Sequence, residues 1–342
     1  MSRVRPVWFL CCALALFACG DSRETGVASA EDITLTEDAA EMFDSSGPGA
    51  DASALDATQP EPSEPRGLDG GGTSDGSEPE HQGGDLSVGA VPETEVSFAP
   101  YFQKHAEVFG LNIFATEAVS DEDVLHAAAV LAQYLDNDED GLADDPAVLA
   151  ALQGAPGGPA SMVMFATEWE IESSGIFDSN LGSRALQDLY ATETHPRGSS
   201  ASTGFDATLE EVLHLVTHHG WAAAYPEDFG EQPGSTLSDA MDVARGGHFT
   251  TLPEAYPEAA WYHYDDETCS YECMATEYLY WALTSLLGGQ MYPGRCEEIA
   301  HEWELCTPES VVSQDAAITA LLQDSGYALP TVLPDGIYEP AP

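Results

Sequence analysis

Thr208-Leu-Glu-Glu-Val-Leu-His-Leu-Val-Thr-His-His-Gly220 is the stretch around which this chain is organised. Read as a helix, each residue turns by about 100°, so Glu210, Glu211, His214 and His218 share one arc of about 100°. Leu209, Val212, Leu213 and Val216 lie on the other side. One face can enter a core while the other presents two carboxylates and two imidazoles. That donor mixture suits a transition metal better than a plain solvated face does. His219 points off the arc.

Working outward, the chain has a net charge of −51, from 60 acidic and nine basic residues, and Lys104 is its only lysine. Such a field repels nucleic acid and anionic lipid surfaces, and it suits surroundings rich in screening cations. Arg3 and Arg5 precede a short apolar run, Val7 to Phe17, too short to span a bilayer comfortably. The run ends Leu16-Phe17-Ala18-Cys19-Gly20, which resembles the lipobox of bacterial lipoproteins. The resemblance implies a signal peptide over 1–19, lipid on Cys19 and a place in the cell envelope, attached to the membrane through that lipid alone. Residues 20–97 are rich in Glu, Asp, Gly, Ser, Pro and Ala and poor in aromatics, so they read as an extended acidic linker. From Phe98 onward the composition changes, and 98–342 reads as one domain.

Seven cysteines are present. Beyond Cys11, Cys12 and Cys19, four remain: Cys269, Cys273, Cys296 and Cys306. In an exported chain they predict disulfides, with the local pairs Cys269–Cys273 and Cys296–Cys306 favoured and a four-cysteine zinc site as the rival.

Ser120 followed by Asp123 predicts the cap of a helix reaching Leu135, and Pro146 opens a short one to Leu152. Strands are expected over 161–167 and, more weakly, 186–192. Further helices are expected over 235–243, 273–287 and 308–323. The order predicts an α+β fold: a small sheet, the motif helix, then a mostly helical C-terminal half.

The first helix runs into Asp136-Asn-Asp138-Glu-Asp140-Gly141-Leu142-Ala-Asp144-Asp145. Alternate carboxylates with a glycine for the sharp turn suit calcium, with Leu142 supplying a carbonyl. The loop resembles the EF-hand loop and, more closely, those of thrombospondin type 3 repeats. Ala147 stands where the EF-hand has its bidentate Glu, so Asp144 or Asp145 is expected to complete the shell.

Glu210-Glu211-Val-Leu-His214 resembles the H-E-x-x-H helix of zincin metallopeptidases, with the first His replaced by Glu. Met274-Ala-Thr-Glu277-Tyr-Leu-Tyr-Trp-Ala282 resembles the later segment from which the gluzincin branch takes its third ligand. The resemblance implies a zincin-like fold, zinc held by Glu210, His214 and Glu277, Glu211 as the base that activates water, and a peptide or protein as substrate. A second register, with His214 and His218 as the ligand pair, stays open. Two bland readings stand beside it: Glu211 as a helix cap to Thr208, and Glu277 paired with Arg245. The functional expectation is an exported, lipid-anchored zinc peptidase, and the alternative a non-catalytic, calcium-stabilised surface protein.

Overall fold

The computed structural model describes residues 86–340. The signal peptide, Cys19 and most of the linker lie outside the described residues. The fold is α+β, with one four-stranded mixed sheet and a predominantly helical second half. Among the described residues no helix is long and apolar enough to cross a membrane.

Two strands that the sequence reading missed open the sheet: β1 (Lys104–Val108) and β2 (Leu111–Ala115), paired antiparallel. Phe109 and Gly110 join them with φ of 50° and 75°. Positive φ at both positions is the two-residue hairpin turn that matches strand twist, a place normally taken by Asn-Gly or Asp-Gly. Here burial of the Phe109 ring holds the conformation. The linker also ends earlier than expected. Gly89 pairs with His105 through two backbone hydrogen bonds, and Glu95 meets Arg184 at 3.0 Å. Composition does not register segments held by backbone pairing.

After β2 come α1 (Asp121–Leu135) and α2 (Pro146–Gln153), then β3 (Ser161–Phe165), α3 (Glu168–Ser174) and β4 (Leu186–Tyr190). β3 pairs parallel to both β2 and β4. The strands alternate strictly. Leu111, Ile113, Met162, Met164 and Leu189 face the main core, which holds α1 and the later helices. Phe114, Val163, Phe165 and Tyr190 face a second, aromatic cluster with Phe98 and Phe102. β4 forms one edge of the sheet and leads toward α4 (Thr208–Val216).

The predicted single helix over the motif divides. α4 ends at Val216, and Thr217–Trp221 continue as a π-helical turn before the short α5 (Ala222–Ala224). Widened turns of this kind recur at functional sites. α6 (Thr236–Ala244) and α7 (Tyr271–Leu286) follow, then α8 (Arg295–Ile299). The predicted 308–323 helix breaks into α9 (Pro308–Gln314) and α10 (Ala316–Leu322). Asp315 stands at the break. It caps α10 through Ile318 N and accepts from Tyr278 OH at 2.6 Å and Trp261 Nε1 at 2.8 Å. The disulfides join Cys269 to Cys273 and Cys296 to Cys306, the favoured local pairing.

The segment 331–339 folds back over the start of the domain. Asn137 Oδ1 accepts from Thr331 N and Val332 N, and Gln133 Oε1 accepts from Asp335 N and Gly336 N. Tyr338 OH donates to Asp136 Oδ2 at 2.5 Å.

Gly220 fits the π turn against α2. A Cβ there would meet Val148 Cγ1 at 2.8 Å and Leu152 at 3.3 Å. Gly220→Ala should therefore destabilise the domain by about 1–3 kcal/mol, the usual cost of overpacking. Denaturant unfolding of the variant checks it, and an unchanged midpoint would refute the contact.

Candidate functional site

α4 is fixed before its chemistry begins. His126 Nε2 on α1 meets Asp206 Oδ2 at 2.7 Å, with both side chains buried. Asp206 Oδ1 accepts from His195 N and, at the start of α4, from Thr208 N. Tyr134 OH donates to Leu209 O at 2.7 Å. Thr208 is buried and no side chain caps α4, so the capping role considered for Glu211 does not arise.

Glu211 instead turns toward His214. Its Oε2 lies 3.5 Å from His214 Nδ1 and accepts from Gln187 Nε2 on β4 at 2.6 Å. Burial holds its carboxyl well above the usual range. Glu210 is half-buried, and one donor atom from each of Glu210, Glu211 and His214 falls within 4.8 Å of the others. Burial first, then the charge of Glu277, raises Glu210 to about 7, and Tyr280 hydrogen-bonds to it.

Glu277 comes from the largely buried α7, whose other charged residue, Glu272, stands in its first turn. Its Oε2 stands 3.4 Å from His214 Nε2, and its Oε1 accepts from Tyr264 OH at 3.4 Å. The structure thus brings together the two residues that sequence reading placed in a shared site. Arg245 is engaged elsewhere: Nη1 donates to Phe249 O, Nη2 to Tyr256 OH, and its guanidinium lies over both rings.

His218 lies in the π turn, with Nδ1 2.5 Å from Glu231 Oε2. Burial opposes its charge, but the hydrogen bond and charge of Glu231, with the charge of Glu272, together outweigh that and raise its pKa. His219 packs against the His218 ring, and burial pushes its pKa down to about 3.

Gln187, Glu231, Tyr264 and Tyr280 all touch these residues, and sequence reading assigned none of them to the site. Gln187 and Glu231 carry no motif. Tyr264 lies, buried, close to the fully buried Tyr262.

A second acidic group is the 136–144 loop. Asp136, Asp138 and Asp144 bring one oxygen each within 4.8 Å of the others. Gly141 has φ of 85°, as the sharp turn requires. Three expected ligands stand outside this trio. Asp145 Oδ1 caps α2 through Ala147 N and Val148 N, and its Oδ2 accepts from Tyr225 OH at 2.8 Å. That assignment is corrected: a carboxylate occupied as a helix cap is not turned into the loop. Asp140 Oδ1 accepts from Leu142 N at 2.9 Å. Burial raises the pKa of Asp136 and of Asp144.

Comparison with protein-family models, with curated proteins and with solved structures finds no match to this chain.

Two further carboxylates surround the site. Burial, reinforced by Glu210, Asp188 and Glu168, raises Glu193 to about 8. Burial and the charge of Glu277 raise Glu302 to about 8, although Trp281 Nε1 donates to it. The ordinary value for both is 4.5. Between that value and 8 the folded state holds more protons than the unfolded, so stability falls as pH rises. The melting temperature of metal-free protein should drop from about pH 5 to about pH 8. Changing both Glu193 and Glu302 to Gln should flatten that slope in a calorimetric scan.

Proposed function

We propose that the chain is an exported, lipid-anchored, zinc-dependent hydrolase of peptide bonds. The single observation that carries this reading is the 3.4 Å between His214 Nε2 and Glu277 Oε2. A charge-assisted hydrogen bond would close to about 2.8 Å. Two donors on a tetrahedral zinc, each at about 2.0–2.1 Å, stand about 3.3 Å apart. The pair is spaced as ligands of one ion. Buried imidazole with carboxylate is the donor chemistry of zinc, and Glu210 or His218, both on the same arc as His214, supplies the next donor.

A zinc ion held there would polarise a carbonyl and acidify water. In the role the zincin resemblance implies, Glu211 would take the proton. Gln187 fixes one of its oxygens, and burial makes its carboxylate a stronger proton acceptor than an exposed one. The peptide substrate rests on the resemblance to zincins. Lipid attachment rests on the sequence around Cys19, and the charge of −51 argues against nucleic acid as a partner.

One observation favours the non-catalytic alternative. Glu210 stands where the zincin motif has its first His, and Tyr280 already bonds to it. In that reading the domain is a calcium-stabilised binding protein. Metal analysis separates the two. Wild-type protein should retain zinc at one ion per chain after dialysis, and Glu277→Gln should lose most of it while melting normally without metal. Zinc-free wild-type protein under micromolar free zinc would overturn the hydrolase.

Calcium in the 136–144 loop belongs to both readings, as a structural ion. At a hundred-fold excess over its Kd, calcium would stabilise the domain by about 2.7 kcal/mol. Asp138→Ala should abolish the calcium-induced rise in melting temperature, yet melt with wild type in chelator. A wild-type melting curve insensitive to chelator would remove the ion.

A further inference from the structure

We propose that residues 331–339 are a strap that acts through α1 on the start of α4, so that its release loosens the helix carrying Glu210, Glu211 and His214. The proposal concerns the scaffold of that site, whatever ion the site takes, and stands apart from the zinc reading.

The strap has no helix or strand of its own. Two carboxamides hold its backbone instead, one in the last turn of α1 and one just beyond it. Asn137 Oδ1 accepts from Thr331 N and Val332 N, and its Nδ2 donates to Val332 O at 2.8 Å. Gln133 Oε1 accepts from Asp335 N and Gly336 N, and its Nε2 donates to Ile337 O at 3.1 Å. Tyr338 OH donates to Asp136 Oδ2, and Glu339 N donates to Glu139 Oε2. These bonds seat Gly336 against the ring of His126 on α1. The φ of Gly336 is 75°, and a Cβ there would collide with His126 Nδ1 and Cε1. Only glycine meets both demands.

His126 in turn holds α4. Its Nε2 meets Asp206 Oδ2 at 2.7 Å. Asp206 Oδ1 accepts from His195 N at 2.9 Å and from Thr208 N, the first residue of α4, at 3.3 Å. A ring packed between Gly336 and Asp206 has no room to turn while the strap is seated. The seated strap is also poised. It packs on His126 Nδ1, which is buried and has no hydrogen-bond partner among the described residues. Burying a polar atom without a partner costs free energy, and water relieves that cost when the strap lifts. Lifting frees His126, then Asp206, then the first turn of α4.

Amide hydrogen exchange of the full chain tests it. It is read in 331–339, at the His195 and Thr208 amides bonded to Asp206, and in β2 and β3 as the measure of global opening. Wild type should be protected at all three. Gly336→Ala should speed exchange in 331–339 and at His195 and Thr208 by about tenfold or more, with β2 and β3 unchanged. Asn137→Ala removes the side-chain bonds to Thr331 and Val332 and should act in the same direction, so it decides the matter if Gly336→Ala does not fold. A released strap with wild-type exchange at His195 and Thr208 would overturn the proposal. So would acceleration shared by β2 and β3, because the strap would then stabilise the whole domain and nothing in particular. Neither outcome bears on zinc binding.

Discussion

A carboxylate buried without a cation either costs several kcal/mol or takes up a proton. The interior around His214 is governed by that constraint. Glu210, Glu211 and Glu277 converge on one imidazole, Glu193 and Glu302 stand just behind, and Arg295 is the nearby guanidinium that acts on Glu210. Arg295 is itself committed to Gln290 and Glu298. The upward pKa shifts of Glu193, Glu210, Glu211 and Glu302 express how strongly this interior favours added positive charge. A divalent ion bound where α4 and α7 face each other would supply it.

The rest of the fold serves to hold that point still. The sheet gives α1 and α4 a common floor. His126–Asp206 and Tyr134–Leu209 then tie the start of α4 to α1 with a polar contact at each of two successive depths. α7 is buried along its length, so Glu277 has little freedom to move. Ligand geometry depends on tenths of an ångström, and supporting shells of this kind are what supply it.

Much of this was legible in the residues. The 3.6-residue period placed α1 and α4, and the apolar run ahead of Gly288-Gly289 placed α7. The local cysteine spacing anticipated both disulfides. Other features were not legible, for physical reasons. The β1–β2 hairpin turns on Phe109-Gly110, a conformation paid for by burial that no turn signature announces. The break at Asp315 comes from its buried partners Tyr278 and Trp261, which lie 37 and 54 residues away in sequence. The π turn arises from packing against α2, and periodicity cannot foresee it. Glu231 and Gln187 enter the site from connections and an edge strand, where nothing in the local pattern distinguishes them. Asp145 shows the opposite error: its spacing fitted a metal loop, but it also preceded Pro146, and the helix claimed it.

The segment 331–339 carries a kinetic consequence. Its partners on α1 and in the acidic loop are 194 to 204 residues away in sequence. Such contacts close only after nearly the whole domain has found its topology, and long-range closure slows folding. Until then, Asp136 lacks the Tyr338 hydroxyl and the loop's carboxylates repel one another in the open. Dissolved cations in the surroundings therefore act on the pace of folding as well as on the finished domain. A chain of this charge matures fastest where salt is plentiful.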